Sequence, residues 1–257
     1  MHPILEKVRL SEDACLLKVH AVHVSKAEPG QFVMVQYTKL SELVPLAILE
    51  TFQEGFSCLV KAVGRSTLEI LEEAESFQYV AGPLGKPFPV EKYGKVSFYA
   101  YSWGIAPILN VAKALKSAGN RLFLQVVSEE FYLRDRCEAL FDEVRHSEDI
   151  LNFEADLVVS AGSNRLSYQL TQLFPQTPII SMVNTHMLDA VGLCLVCRVL
   201  VDGKYALACS DGPWFDAHKV DWENLMAREE SYKEQERIAF EEYLKTLKRK
   251  RAINVNL

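Results

Sequence analysis

Three of the six cysteines lie close together and could bind a metal. Cys194 and Cys197 are separated by two residues, and eleven more separate Cys197 from Cys209. Two thiolates at the first spacing can turn toward one ion or cluster, and the third returns from a predicted hairpin over residues 199–207. Thiolates in such groups hold zinc or iron–sulfur centres. The pattern therefore predicts a metal or cluster site.

The fourth ligand of this site cannot be a neighbouring cysteine. Asp189, five residues before Cys194, is the first candidate, and His186 is the second, which would give a Cys3His zinc site. The alternative interpretation is that the cysteines are simply buried small residues. Three further cysteines lie singly in apolar stretches and are interpreted as core residues: Cys15, Cys58 and Cys137.

Composition limits the class of protein. The chain has 257 residues, of which 49% are hydrophobic and 24% charged, so we expect a globular protein of two domains and an appendage. A net charge of −6 argues against a nucleic-acid binder. No secretory signal opens the chain, and its most apolar stretch, 188–201, is too short to span a membrane. We therefore expect a cytoplasmic protein, where clustered cysteines are more often metal ligands than disulfides.

The first 90 residues consist of short extended segments separated by turn residues. Cys15–Val24 and Gln31–Tyr37 are rich in Val, Leu and Phe, with the turn Glu28-Pro29-Gly30 between them. Similar segments follow at 45–52, 56–63 and 78–81, and a single helix is predicted over 67–75. This spacing predicts a small antiparallel barrel.

The pattern changes after residue 92. Lys95–Ser102 is a nearly continuous apolar strand, and Gly104-Ile105-Ala106-Pro107 turns it into a helix over 108–117. Further strands are predicted at 122–127, 156–160 and 178–183, with helices at 137–144 and 166–173. Alternating strands and helices predict a parallel sheet, which binds ligands at the carboxyl ends of its strands. The turn after Ser102 is therefore the expected nucleotide site.

A long charged helix is predicted at the C-terminus, from about Trp222 to Arg251. Its apolar residues Phe240, Tyr243, Leu244 and Leu247 form one narrow stripe, which indicates contact with a partner subunit or, alternatively, a solvated helix. The predicted domains are an antiparallel barrel (1–92), a nucleotide-binding-type α/β domain (93–185), a cysteine hairpin (186–222) and the terminal helix (223–257).

Five motifs in this order resemble the ferredoxin–NADP reductase superfamily, in its branch with a C-terminal 2Fe–2S hairpin. That branch includes the electron-transfer subunit of dihydroorotate dehydrogenase and the small subunit of NADH-dependent reduced ferredoxin:NADP oxidoreductase. In the second, which is the closer match, an aspartate stands in the first ligand position, as Asp189 does here. The motifs are Pro29-Gly30-Gln31-Phe32, Val63-Gly64-Arg65-Ser66-Thr67, Gly82-Pro83-Leu84-Gly85-Lys86-Pro87, Gly104-Ile105-Ala106-Pro107 and the cysteine hairpin ending in Asp211-Gly212-Pro213.

The resemblance implies two cofactors. It implies a 2Fe–2S cluster on Asp189, Cys194, Cys197 and Cys209. It also implies FAD, with the flavin ring on the strand Pro45, Leu46, Ala47 and Ile48, and the pyrophosphate at the helix start Val63, Gly64, Arg65, Ser66 and Thr67. Two family contacts are missing, because Leu43 stands in place of an arginine and Ala47 in place of a hydroxyl residue.

Nicotinamide binding is expected to be weak or lost. Members of the superfamily have a glycine-rich turn before Ile-Ala-Pro, where this chain has Ala100-Tyr101-Ser102-Trp103-Gly104. The rings of Tyr101 and Trp103 stand where a dinucleotide needs close backbone approach.

Three functions remain open on the sequence. The first is an electron-transfer subunit that relays electrons to or from larger flavin and iron–sulfur oxidoreductase subunits, with no catalytic acid or base. The second is a self-sufficient NAD(P)H-dependent reductase. The third is a non-redox assembly subunit with a structural zinc site.

Overall fold

The computed structural model describes residues 1–254, with side chains as far as residue 247, and it begins with two antiparallel sheets. Their strand orders are β5-β6-β2-β1-β7 and β4-β3-β8. Together they form the predicted antiparallel barrel. The elements are β1 (His2–Arg9), β2 (Ala14–His20), β3 (Phe32–Gln36), β4 (Leu43–Ala47), β5 (Glu50–Phe52), β6 (Gly55–Lys61), α1 (Arg65–Glu73), β7 (Ser76–Phe77) and β8 (Tyr79–Leu84).

Strand β2 joins the barrel to the rest of the molecule, because it is buried on both faces. Successive side chains of a strand point to opposite sides. Cys15, Leu17 and Val19 therefore pack inside the barrel. Ala14 and Leu16 instead belong to the hydrophobic core of the α/β domain. The two parts thus share a continuous interface without a linker.

The second part is a parallel sheet in the order β11-β10-β9-β12-β13. Its central strand is buried from Val96 to Ala100, as expected of a strand covered on both faces. The predicted fold class, a barrel followed by an α/β domain, is confirmed. The elements are β9 (Lys95–Ala100), α2 (Ile105–Ser117), β10 (Arg121–Val126), α3 (Arg134–Leu140), β11 (Glu143–His146), β12 (Leu157–Ala161), α4 (Asn164–Leu173) and β13 (Ile179–Met182).

The helix predicted over 137–144 is wrong in its second half, because α3 ends at Leu140 and a strand begins at Glu143. The apolar residues there fit a helical period. However, the Asp142 carboxylate accepts the N–H of Leu122 at 2.7 Å and lies 2.8 Å from Lys116 Nζ. These contacts tie the chain to the start of β10, so β11 extends the sheet.

The cysteine segment follows β13 and returns to the same sheet. The hairpin β14 (Arg198–Val201) and β15 (Lys204–Leu207) turns at Asp202-Gly203, both with positive φ, and β16 (Trp214–Asp216) then pairs antiparallel with β13. The indole N–H of Trp214 also donates to the Gly30 carbonyl at 2.9 Å. The segment is therefore anchored to both the sheet and the barrel.

The C-terminal region forms two helices, α5 (Trp222–Glu230) and α6 (Lys233–Asn254), where the sequence predicted one. They separate because each packs on a different core. Trp222 and Leu225 of α5 are buried beside the hairpin, whereas the apolar stripe in the middle of α6 lies on the barrel. Residues of that stripe are Phe240, Tyr243, Leu244 and Leu247.

The surface that this stripe requires is thus supplied by the same chain. A partner contact for residues 223–257, of which 255–257 lie outside the described residues, stays a prediction and would have to use another face. Among residues 1–254, none of the helices combines the length and hydrophobicity that crossing a bilayer requires.

Candidate functional site

The loop before the hairpin folds around the carboxylate of Asp189. That carboxylate accepts the backbone N–H groups of Val191 at 3.0 Å, Leu193 at 3.1 Å and Cys194 at 2.6 Å. The N–H groups converge because Ala190 and Gly192 have positive φ angles of 56° and 84°. The hydrogen bond from Val191, with the others, lowers the pKa of Asp189 by stabilising its charged form. Asp189 is therefore an ionised carboxylate inside the cysteine loop.

The three cysteines and Asp189 lie in two contacting pairs. The Cys194 thiol lies beside the Asp189 carboxylate and helps to lower its pKa, and the thiols of Cys197 and Cys209 lie close enough for Cys197 to raise the pKa of Cys209. Burial, together with the neighbouring Cys197, raises the pKa of Cys209 to about 12. The Gly192 N–H also reaches the Cys209 sulfur. Cys197 and Cys209 are buried, whereas Cys194 is exposed.

This pairing distinguishes between one metal ion and a cluster. A 2Fe–2S cluster takes two protein ligands on each iron, so two adjacent pairs suit it. The order of the four residues also has the x4, x2 spacing of plant-type clusters. The donor set thus fits a 2Fe–2S cluster better than a tetrahedral zinc ion.

His186, the second candidate for the fourth ligand, faces a different element. Its Nδ1 lies 3.7 Å from a carboxylate oxygen of Glu236, and its ring meets Tyr232 edge-on at 6.0 Å between centroids. Both partners belong to the C-terminal region. Asp189, and not His186, is therefore the side chain directed at the cysteines.

A cavity of about 260 Å³ lies where the barrel meets the α/β domain. We call it the ring cavity. Predicted flavin residues in its wall are Pro45, Leu46, Ala47, Val63 and Thr67. Ile48, also predicted, is instead 1% exposed inside the barrel core, since it follows the end of β4 and turns inward. An apolar cavity with few polar groups is typical of a ring-binding site.

A second cavity, of about 480 Å³, lies at the start of α1. Gly64, Arg65 and Ser66 line it together with Val63 and Thr67. The Thr67 hydroxyl accepts the N–H groups of Val63 at 3.0 Å and Gly64 at 3.1 Å, which shapes the turn. The helix start favours an anion here. All five predicted residues of this element thus share one cavity.

Two polar side chains at the start of α1 already have partners within the chain. Arg65 Nε lies 2.9 Å from a carboxylate oxygen of Glu69, and the hydrogen bond raises the pKa of Arg65. The Ser66 hydroxyl donates to Glu42 at 3.2 Å. A diphosphate bound here would compete with both carboxylates.

The ring cavity and the cysteine loop adjoin each other through two chain segments. Thr185 and Met187 line the cavity, and Asp189 follows Met187 by two residues. On the other side Pro213 lines the cavity, four residues after Cys209. The cavity wall and the cysteine loop are therefore joined by two short chain segments, Met187–Asp189 and Cys209–Pro213.

Comparison with known proteins identifies the family. Residues 184–221 match the model of the iron–sulfur cluster binding domain of dihydroorotate dehydrogenase B. Over 96% of each chain, the protein is 33% identical to a dihydroorotate dehydrogenase B (NAD(+)) electron transfer subunit homolog of Thermotoga maritima. The chain belongs to the family of these electron transfer subunits and their homologues. An electron transfer subunit of the same enzyme from Clostridium perfringens is 27% identical over 85% of this chain and 96% of its own.

Solved structures agree with the family and its fold. A chain of the NADH-dependent reduced ferredoxin–NADP oxidoreductase, studied for flavin-based electron bifurcation, superposes with a TM-score of 0.87 at 30% identity, covering 95% of this chain and 98% of that one. Phthalate dioxygenase reductase, at 13% identity and a TM-score of 0.58, covers 78% of this chain and 86% of its own and shares the fold. The resemblance inferred from five motifs is confirmed.

The expected nucleotide turn after β9 is packed against its neighbours. Ser102 has φ of 51°, and its N–H donates to the Ser128 hydroxyl at 2.8 Å. A Cβ on Gly104 would lie 2.2 Å from the Ala161 carbonyl oxygen, so this turn touches the one after β12. Trp103 turns away and lines the ring cavity. The turn thus lacks the open backbone that a dinucleotide requires.

A cleft of about 700 Å³ remains beside the start of α4, and a carboxylate lies in its wall. Glu229 accepts hydrogen bonds at 3.1 Å from the side-chain amides of both Asn164 and Asn184. Asn164 is 1% exposed and also binds the Asn184 backbone. The chain therefore places a carboxylate beside the start of α4, in a cleft whose wall also carries Arg165 and Lys233.

Several residues of the ring cavity were missed from the sequence. They come from distant segments, and of them the sequence motifs contain only Trp103, which was expected at the nucleotide turn, and Pro213. These residues are Lys61, Trp103, Thr185, Met187 and Pro213. Lys61 binds Glu130 at 2.6 Å and Asp13 at 3.4 Å, which connects the cavity wall to the α/β domain. In the sequence, the only sign of this role was that Lys61 stands at the end of an apolar strand.

Proposed function

We propose that this chain is the electron-transfer subunit of a larger flavin and iron–sulfur oxidoreductase. Asp189, Cys194, Cys197 and Cys209 hold a 2Fe–2S cluster in this proposal, and the ring cavity holds the isoalloxazine of FAD. The observation that carries it is the adjacency of the two sites through Met187–Asp189 and Cys209–Pro213. Electron transfer requires such proximity and does not require a general acid or base.

The residues in place fit each cofactor. The carboxylate is a harder ligand than thiolate, and non-cysteine ligation on one iron has a precedent in Rieske centres. Pro45, Leu46 and Ala47 supply an apolar wall for the ring, and the start of α1 supplies N–H and hydroxyl groups for the diphosphate. When bound, the two cofactors provide stepwise transfer of single electrons, and the chain binds and orients them.

A partner subunit is the proposed source or acceptor of electrons. The packed turn at Ser102–Gly104 and the carboxylate of Glu229 argue against tight nicotinamide binding to this chain. Around the cysteine loop, apolar side chains are exposed, with Leu193 at 82%. This apolar collar suits docking to a larger redox subunit. Its members are Leu188, Val191, Leu193, Leu195 and Tyr205.

The first test is cofactor analysis of protein purified without air. We expect about two iron atoms and two inorganic sulfides per chain, with flavin absorbance. Cys197→Ser should lose the cluster, whereas Cys137→Ser, which changes a buried cysteine of α3 far from the loop, should keep it. A colourless protein with one bound zinc would contradict the proposal and support the assembly function.

The role of Asp189 is tested by a pair of variants. Asp189→Cys restores an all-thiolate site and should keep the cluster with a changed electron paramagnetic resonance spectrum. Asp189→Ala removes a ligand and the acceptor of three N–H groups, so iron content should fall. Equal spectra and iron content in wild type and Asp189→Ala would remove Asp189 from the ligand set.

Anaerobic titration with NADH separates the relay from a self-sufficient reductase. We expect the flavin absorbance of the isolated chain to stay unbleached by NADH, while dithionite reduces it. Rapid bleaching by NADH would favour the self-sufficient enzyme.

We also propose that the protein is located in the cytoplasm.

A further inference from the structure

Helix α5 lies directly on the cysteine loop and is firmly anchored there. Trp222 and Leu225 are 3% and 2% exposed, and the Trp222 indole N–H donates to the Ala217 carbonyl at 2.8 Å. The Asp221 carboxylate accepts the Asn224 N–H at 2.9 Å and caps the helix start. The helix can therefore hold a side chain in a fixed place against the loop.

That side chain is Arg228. Its guanidinium donates to the backbone carbonyl of Val196 at 2.6 Å and, through the other terminal nitrogen, to that of Arg198. The carbonyl between them, that of Cys197, accepts the N–H of Ala208 at 3.0 Å. Three consecutive carbonyls thus accept hydrogen bonds. Arg228 donates to two of them, and Ala208, the neighbour of Cys209, donates to the third.

This arrangement acts on both the shape and the charge of the loop. A guanidinium presents a planar fork of donors, so it can fix two carbonyls at a set angle, which a lysine cannot do. Arg228 is only partly exposed, and its partners here are neutral carbonyls. Its positive charge therefore remains available to the neighbouring Cys197 sulfur, in an environment that screens it less than water does.

We propose that Arg228 is a positioning residue for the cluster: it fixes the backbone on both sides of Cys197, and its charge favours the reduced cluster. The inference rests on the proposed function, because it assumes that Cys197 is a ligand. The physical reason is simple. Reduction adds a negative charge to the cluster, and a nearby cation stabilises that charge.

The test compares three single variants. Arg228→Gln removes the charge and the fork, Arg228→Lys keeps the charge and removes the fork, and Lys233→Gln removes one surface charge that is paired with Glu230 away from the loop. Redox titration of the cluster, followed by electron paramagnetic resonance, should give a lower midpoint in Arg228→Gln. A tenfold shift of the equilibrium toward the oxidised cluster corresponds to about 59 mV for one electron. Arg228→Lys and Lys233→Gln should stay near wild type.

Hydrogen exchange of the loop amides tests the positioning role without a cluster. In cluster-free protein, exchange around residues 195–199 should speed up in both Arg228 variants and remain unchanged in Lys233→Gln. Failure of Arg228→Gln alone to take up iron would also support the inference. Wild-type midpoint and wild-type exchange in Arg228→Gln would overturn it. If wild type itself holds no iron, the proposed function fails, while the exchange result still decides what Arg228 does to the loop.

Discussion

The two ligand-binding regions of this fold, the barrel and the carboxyl edge of the sheet, are built differently here. At the barrel, the strand Pro45–Ala47 and the turn at Gly64 leave cavities of about 260 and 480 Å³. At the sheet edge, Ser102–Gly104 packs against the next turn, and Glu229 lies at the start of α4. Both regions keep an opening, because a cleft of about 700 Å³ lies at the sheet edge, but there the turn is tightly packed and a carboxylate lies in the wall.

A binding region of this fold can thus carry a packed turn and a carboxylate that disfavour an anionic ligand while the backbone fold is kept. The sheet order and the helices of the α/β domain are intact, and the chain still superposes on a relative with a TM-score of 0.87. A few side chains and one carboxylate decide the difference. Substitutions in each region test this difference.

The largest effect is expected from a matched pair of glycine substitutions, one in each region. A Cβ at Gly104 would lie 2.2 Å from the Ala161 carbonyl oxygen, whereas no atom of the described residues lies within 4 Å of one at Gly64. Gly104→Ala should therefore destabilise the protein by about 3 kcal/mol. Gly64→Ala should cost less than about 1 kcal/mol, through a weaker helix cap. Urea unfolding of both variants measures this, and equal costs would mean that the sheet edge is not tightly packed.

The next effect concerns flavin affinity. The resemblance places an arginine where Leu43 begins β4, so Leu43→Arg should add a charge-assisted contact to the diphosphate. A gain of about 2 kcal/mol, roughly 30-fold in the dissociation constant of FAD, is expected. Leu43→Met is the control, because it keeps the volume without the charge. Calorimetry with FAD checks both, and unchanged affinity in Leu43→Arg would place the diphosphate elsewhere.

A smaller effect is expected in acid, at the link between the ring cavity and the sheet. Burial alone would raise the pKa of Asp13, but the Ser11 hydroxyl and the charge of Lys61 outweigh it and lower that pKa. A lowered carboxyl pKa stabilises the fold above its ordinary value near 4, and the contribution disappears as the pH falls through the lowered value. Asp13→Asn should lose this dependence.

Unfolding in urea at pH 7 and pH 3 checks this prediction. Because Asp13 is partly exposed, its removal should cost less than about 1 kcal/mol at pH 7. Lys61→Met serves as the second variant, since it removes the cation that Asp13 faces. A pH dependence identical in wild type and Asp13→Asn would show that this link does not stabilise the cavity wall.

The smallest effect is expected from relieving the backbone strain at Ser102, in the turn after β9. Ser102 has φ of 51°, a conformation that glycine adopts without strain, and within the described residues its hydroxyl is buried without a hydrogen-bond partner. Ser102→Gly should stabilise the protein by about 0.5 kcal/mol, after the entropy of glycine is subtracted. NADH affinity should stay as weak as in wild type, since Tyr101 and the carboxylate of Glu229 remain in the cleft. Tight NADH binding in this variant would mean that the serine alone had closed the site.

The sequence by itself determined most of the order of the elements and the candidate ligands of the cluster. Turn residues such as Pro29-Gly30 and Asp202-Gly203, and the periods of the apolar residues, depend only on local backbone preferences. The spacing of Asp189, Cys194 and Cys197 is also local, because a short loop brings its own residues together. The motifs at Gly64 and Gly104 then predicted the family correctly.

Only the tertiary structure decided how distant segments meet. It directed Asp189, and not His186, toward the cysteines, and it joined Pro213 to the wall of the ring cavity. It divided the terminal helix, so that α6 covers the barrel while Arg228 of α5 reaches the cysteine loop. These outcomes depend on which surfaces bury each other, and a periodic pattern shows that a face is apolar without showing what covers it.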